Sequence, residues 1–195
     1  MAQDNQPHKV TFFGRMHEAL LFFSRSIRHP IRMSTPLASS RRLGETVTKE
    51  LAGRPSSRVV ELGSGTGRIT ASILDALGQD DVLLCVESDK TFCRHLGHRF
   101  NGRVQVVQGD AMELDEILAD HEWEGPDVIV SSVPMVGQDA SRLCQQVAKA
   151  LPSHGLYLQV TNWPGVMRPF FQIEREYFFP LNMPPERLYC AVPKK

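Results

Sequence analysis

From Arg58 onward, short apolar runs alternate with stretches of helical length, and this alternation limits the fold more than anything else in the chain. The runs "RVVEL" (58–62), "VLLCVE" (82–87), "RVQVV" (103–107), "DVIVSS" (127–132) and "GLYLQVT" (155–161) are rich in branched aliphatic residues and read as strands. Helical stretches at 68–78, 89–100, 113–121 and 139–151 lie after the first four. Strands that are apolar on both faces and joined by helices predict a parallel sheet covered on both sides. The end of the chain breaks the pattern. "FFQIEREYFF" (170–179) alternates, "NMPPE" turns, and "RLYCAV" (187–192) follows with no helix between. That predicts an antiparallel hairpin at the sheet edge. The expected fold class is therefore α/β, with a mostly parallel seven-stranded sheet. The 195 residues suit one such domain over 43–195 behind a front segment over 1–42.

The loop after the first strand reads "ELGSGTGRIT" (61–70), with Gly63, Gly65 and Gly67 at alternate positions. In an α/β sheet this loop faces the ligand crevice, and glycines let backbone approach a ligand closely. A dinucleotide fingerprint would need a third glycine at position 68, which is Arg68. The spacing found here, with Glu61 two residues ahead, resembles the first motif of class I S-adenosylmethionine-dependent methyltransferases. That ligand has a zwitterionic methionine end, so an acid at Glu61 is expected near its ammonium. Glu87 closes the second strand twenty residues after Gly67, where an acid accepts both ribose hydroxyls. Asp110, between Gly109 and Ala111, follows the third strand, and the resemblance implies that it binds the adenine amine. Ser64, Thr66 and Ser88 complete the expected cofactor set. The alternative is that Glu87 and Asp110 only cap the helices that follow them.

After the fourth strand comes "SSVPM" (131–135). Adenine amino-methyltransferases carry an Asn/Asp-Pro-Pro-aromatic or Asn-Leu-Pro-Tyr box here, with the aromatic stacked on the base. This segment keeps Pro134 but has neither the Asn nor the aromatic. Ser131 and Ser132 are the residues expected to orient an acceptor amine. His17, Tyr157, Tyr177 and Glu174 are candidate bases by residue type alone. Trp163 reads equally as acceptor-site lining or as core. His95, His98 and Cys93 share a helix without a second cluster, so no metal site is expected.

The front segment has a different character. On a helical wheel, Phe12, Phe13, Met16, Ala19, Leu20, Phe23 and Ile27 fall within about 120°, while Arg15, Arg25 and Arg28 lie outside that arc. Leu21 and Phe22 also lie outside it and widen the apolar contact. Residues 1–42 hold seven basic and two acidic side chains, although the whole chain has 22 of each. A basic amphipathic helix suits an anionic membrane surface. A lid over the crevice is the alternative. The four cysteines are scattered without a CxxC pair, which implies reduced thiols rather than a disulfide frame. No spanning or leader segment is recognisable, so the expected location is cytoplasmic, peripheral on the inner face of the cell membrane.

Nearly the whole chain resembles the bacterial phospholipid N-methyltransferases of the short type related to ribosomal RNA adenine dimethylases. The resemblance runs through "FFGRMHEALLFFSRSIRHP", "PLASSRRLGE", "VVELGSGTGRIT", "VVQGDAMELDEIL", "SSVPM" and "LNMPPERLY". It implies a Rossmann-like methyltransferase fold, S-adenosylmethionine as cofactor with S-adenosylhomocysteine as product, and methylation of phosphatidylethanolamine toward phosphatidylcholine. The expected partners are a phospholipid and an anionic membrane, with no nucleic acid and no metal; the oligomeric state is left open. The rival readings are an RNA adenine dimethylase, a methyltransferase for a soluble small molecule, and a non-catalytic membrane module.

Overall fold

The computed structural model describes residues 34–54, 58–123, 125–182 and 184–194. The amphipathic stretch expected over Phe12–Arg28 lies outside these residues. The described chain begins with helix α1 (Ser34–Leu51), which runs through the position where the front segment was expected to end. Strand and helix then alternate: β1 (Arg58–Leu62), α2 (Arg68–Ala76), β2 (Val82–Glu87), α3 (Lys90–Phe100), β3 (Gln105–Gln108), α4 (Leu114–Asp120), β4 (Val128–Ser131), α5 (Asp139–Ala150) and β5 (Leu156–Val160). The edge hairpin is β6 (Phe171–Phe179) and β7 (Glu186–Pro193).

The seven strands pair in the order β3-β2-β1-β4-β5-β7-β6. The first five are parallel, and β7 lies antiparallel between β5 and β6. This is the expected sheet. Two boundaries shift. The third strand starts at Gln105 rather than residue 103, and its helix is preceded by a 3-10 turn at Ala111–Glu113.

Side-chain parity divides the core into two layers. Val60, Leu62, Leu84, Val86, Ile129 and Tyr157 meet α4 and α5 on one face. Val59, Leu83, Cys85, Val128, Val130 and Leu158 meet α1, α2 and α3 on the other. All twelve of these sheet side chains are at most 1% exposed, and burying each apolar side chain contributes about 2 kcal/mol. Helix α1 is also tied to the edge strand. Arg175 donates to both oxygens of Glu50, at 3.1 and 2.7 Å, and the Tyr177 hydroxyl donates to the same carboxylate at 2.6 Å. Burial pushes the Glu50 carboxyl up, but these bonds together hold it below its usual range.

Strand order reverses at β1, which has β2 on one side and β4 on the other. A crevice opens beyond the carboxyl ends of the strands at such a point.

Candidate functional site

The loop after β1 is built from three left-handed residues, with φ of +75° at Gly63, +53° at Gly65 and +78° at Gly67. This conformation costs an L-residue about 1–2 kcal/mol, which explains the alternate spacing of the glycines. Two of them also face crowding. A Cβ on Gly67 would lie 2.6 Å from Phe100 Cε2, and one on Gly63 would lie 3.2 Å from Val133 Cγ2. A Cβ on Gly65 would meet nothing within 4 Å, so its face is open. The Gly63 and Gly67 N–H groups donate to Val86 O and Ser64 O, at 2.9 Å each. Exposed Thr66 offers its carbonyl to Arg99 at 2.5 Å.

Glu87, at the end of β2, is 8% exposed. One of its oxygens accepts from Gly65 N–H at 2.8 Å, and the other from Asp89 N–H at 2.8 Å and the Ser88 hydroxyl at 3.5 Å. A carboxylate has about four acceptor positions and three are taken, so one remains, on the oxygen that holds Gly65, for a ribose hydroxyl. The cap of α3 is Asp89, which accepts from Thr91 and Phe92 N–H at 2.7 and 3.2 Å; Glu87 is free of that duty. Asp110 is exposed and does cap its 3-10 turn, accepting from Met112 N–H at 2.9 Å through one oxygen. Gly109 N–H donates to Glu87 O at 3.1 Å, and Ala111 is buried behind it. The alternative reading therefore holds for part of Asp110 and fails for Glu87.

Glu61 departs from expectation. Register pairs it with Cys85, on the face covered by α2, and it is 1% exposed. Its Oε2 accepts from Thr70 Oγ1 at 2.5 Å and from the Cys85 thiol at 3.5 Å. Burial pushes this carboxyl up to about 7, against the hydrogen bonds of Thr70, nearby Ser64 and Cys85. Glu61 thus lies under the loop. Buried Ser64 Oγ sits close above the same carboxylate. The open face at Gly65 and the spare acceptors of Glu87 and Asp110 fit S-adenosylmethionine, whose methionine end, ribose and adenine need such groups.

The acceptor segment also needs correction. Ser131 is fully buried, and its hydroxyl accepts from Val133 N–H at 3.3 Å, so it does not line the crevice. Ser132 is half-buried and is fixed through its N–H to Leu62 O at 3.0 Å. Beneath them lies a polar chain that sequence reasoning missed. The Tyr157 hydroxyl donates to Gln159 Oε1. The Gln159 amide then donates to Val133 O at 3.1 Å and Val160 O at 2.8 Å. A glutamine inside an apolar strand was the available signal. Met135, where an adenine enzyme places its aromatic, is 3% exposed and packs in the core.

The candidate bases lie elsewhere. Tyr157 is fully buried, and burial drives its phenol well above the usual range. Tyr177 is raised as donor to Glu50, and Glu174 pairs with Arg175 at 3.6 Å, both in mid-strand. His17 falls outside the described residues. Trp163 is 55% exposed, which removes its core reading and leaves it at the crevice end of β5. Among the described residues, no group of three or more His, Cys, Asp or Glu is placed to hold a metal, and no helix is long and apolar enough to cross a membrane.

Residues 39–158 match the model of the ribosomal RNA adenine dimethylase family. An ornithine lipid N-methyltransferase from Singulisphaera acidiphila is 32% identical over 89% of this chain and 95% of its own length. The ribosomal RNA small subunit methyltransferase A of Synechococcus elongatus is 34% identical, but over only 42% of this chain and 30% of its own. Among solved structures, TrmN from Thermus thermophilus superposes with a TM-score of 0.66 at 16% identity, over 78% of this chain and about half (48%) of TrmN. Aeropyrum pernix fibrillarin, solved with S-adenosylmethionine bound, gives 0.64 at 18% identity over 80% and 74%. These two likenesses carry the fold. With the glycine loop and its acids, the matches along the sequence place this chain in the ribosomal RNA adenine dimethylase family of S-adenosylmethionine-dependent methyltransferases.

Proposed function

We propose that this methyltransferase acts on the head-group amine of a membrane phospholipid, phosphatidylethanolamine and its methylated derivatives, at the inner face of the cell membrane. The observation that carries the reading is the near full-length similarity to a lipid N-methyltransferase. The buried Met135 supports it, since it offers a flat base no stacking surface.

S-adenosylmethionine, when bound, supplies an electrophilic methyl on a sulfonium. The glycine loop and Ser64 hold its methionine end, Glu87 its ribose and Asp110 its adenine amine. The Ser132–Val133 backbone, braced by Gln159, orients the incoming amine. Transfer is an in-line displacement, and alignment of an unprotonated amine is the main task. The amine lone pair forms the N–C bond as the C–S bond breaks toward sulfur, and the ammonium proton leaves to solvent.

The Singulisphaera relative favours a second reading within the same chemistry, in which the amine belongs to an ornithine lipid. Labelled S-adenosylmethionine supplied with anionic liposomes containing either lipid, beside unmodified ribosomal RNA, tests both. Label in the phosphatidylethanolamine fraction is expected. Label in RNA but in neither lipid would overturn the proposal. Membrane action through the 1–42 segment is tested separately: removing residues 1–29 is expected to abolish sedimentation with the liposomes.

A further inference from the structure

The described residues expose four large apolar side chains, and three of them gather at the crevice end of the sheet. Phe178 is 51% exposed and Leu181 is 64% exposed, both at the tip of the β6–β7 hairpin. Trp163, 55% exposed, follows β5. The two loops are joined. Asn162 Nδ2 donates to Pro185 O at 2.9 Å, and Thr161 N–H donates to Arg187 O at 2.9 Å.

Two arginines border this apolar tip, together with the acids Glu176 and Glu186. The Arg187 guanidinium lies 4.4 Å from the Phe178 ring centroid and pairs with Glu176. Arg42 of α1 lines a small cleft with Phe178, Pro180, Leu181 and Asn182, and it has no ion-pair partner among the described residues. Asn182 is 5% exposed, and its Oδ1 has no hydrogen-bond partner there. Exposed aromatics flanked by arginine match the boundary between head groups and acyl chains, where an indole is half in water.

We propose that the Phe178–Leu181 tip, with Trp163 and Arg42 beside it, seats on an anionic lipid bilayer and brings the mouth of the crevice against the head groups. This rests on the lipid reading above but uses residues outside the amphipathic front segment. It accounts for apolar side chains that the cofactor site leaves unused.

The chain has two tryptophans, so a full-length Trp123→Phe protein reports on Trp163 alone. It is mixed with phosphatidylethanolamine/phosphatidylglycerol vesicles carrying brominated acyl chains. Trp163 emission is expected to shift to the blue and be quenched. Leu181→Glu in the same protein is expected to weaken partitioning by about tenfold, with an unchanged melting temperature. If Leu181→Glu does not fold, the quenching of Trp163 remains as the test. Vesicle binding with unshifted, unquenched Trp163 overturns the proposal, as does absence of binding. Methyl transfer to the lipid amine in detergent micelles, where no bilayer is needed, tells the two ideas apart. Its presence beside an unquenched Trp163 removes the docking surface alone, and its absence removes the lipid reading beneath it.

Discussion

Glu61 is an acid enclosed beneath the cofactor loop, and its burial has a measurable cost. Its carboxyl is pushed from an ordinary 4.5 to about 7 in the folded chain. The folded state therefore holds this proton more tightly than the unfolded state does. Between pH 4.5 and 7 the folded chain binds more protons, so this group's contribution to stability falls as pH rises through that window and levels off above it. At about 1.4 kcal/mol per unit, the loss amounts to about 3 kcal/mol. Glu61→Gln keeps the shape of the protonated acid, with an amide beside the Thr70 and Ser64 hydroxyls. Urea unfolding of wild type and variant at pH 5, 6, 7 and 8 isolates the effect, because every other titrating group cancels in the difference. The variant is expected to match wild type near pH 5 and to be about 3 kcal/mol more stable at pH 8. A difference that does not change with pH, or one that favours wild type more as pH rises, would refute the reasoning.

Three further outcomes follow from the site. Glu87→Ala removes the acceptor that holds Gly65 N–H, and it is expected to abolish S-adenosylmethionine binding by calorimetry while the circular dichroism spectrum is retained. Gly67→Ala forces an L-residue to φ +78° and a Cβ against Phe100, so thermal unfolding should report a loss of about 3 kcal/mol. Gln159→Leu removes the donor to Val133 O and the acceptor of the Tyr157 hydroxyl. It is expected to lower kcat by about tenfold with cofactor affinity within about twofold; equal losses in both would make Gln159 merely structural.

The sheet was legible because its signal is local. Each central strand is an apolar run bounded by polar or glycine residues, and the late hairpin shows as two runs without a helix. The glycine loop was legible for a related reason: three positive φ values at alternate positions leave glycine as the easy choice, and the spacing appears directly in the letters. The enclosure of Glu61 was not legible because residue type and sequence distance do not say which face a strand residue takes. Its parity with Val59 and Cys85 sets the face, but only the seating of α2 over that face encloses the carboxyl. Ser131 and Ser132 differ by the same parity. One turns into the sheet and the other stays at its end, and the pair "SS" carries no mark of which is which.

The acceptor half of the site is harder to read because it is made of absences and of support from below. An Asn and an aromatic are missing at 131–135, yet the segment is held rigidly. Ser131 braces Val133 N–H, and Gln159 braces Val133 O, with Tyr157 behind it. A segment held from both backbone groups presents fixed carbonyls rather than a stacking ring, which suits a small tetrahedral ammonium better than a planar base. Met135 is part of that same packing. An aromatic at 135 would first have to leave the core to reach a base. Acceptor choice at this position is therefore coupled to the fold of the whole rim and cannot be assigned to a single exchanged side chain.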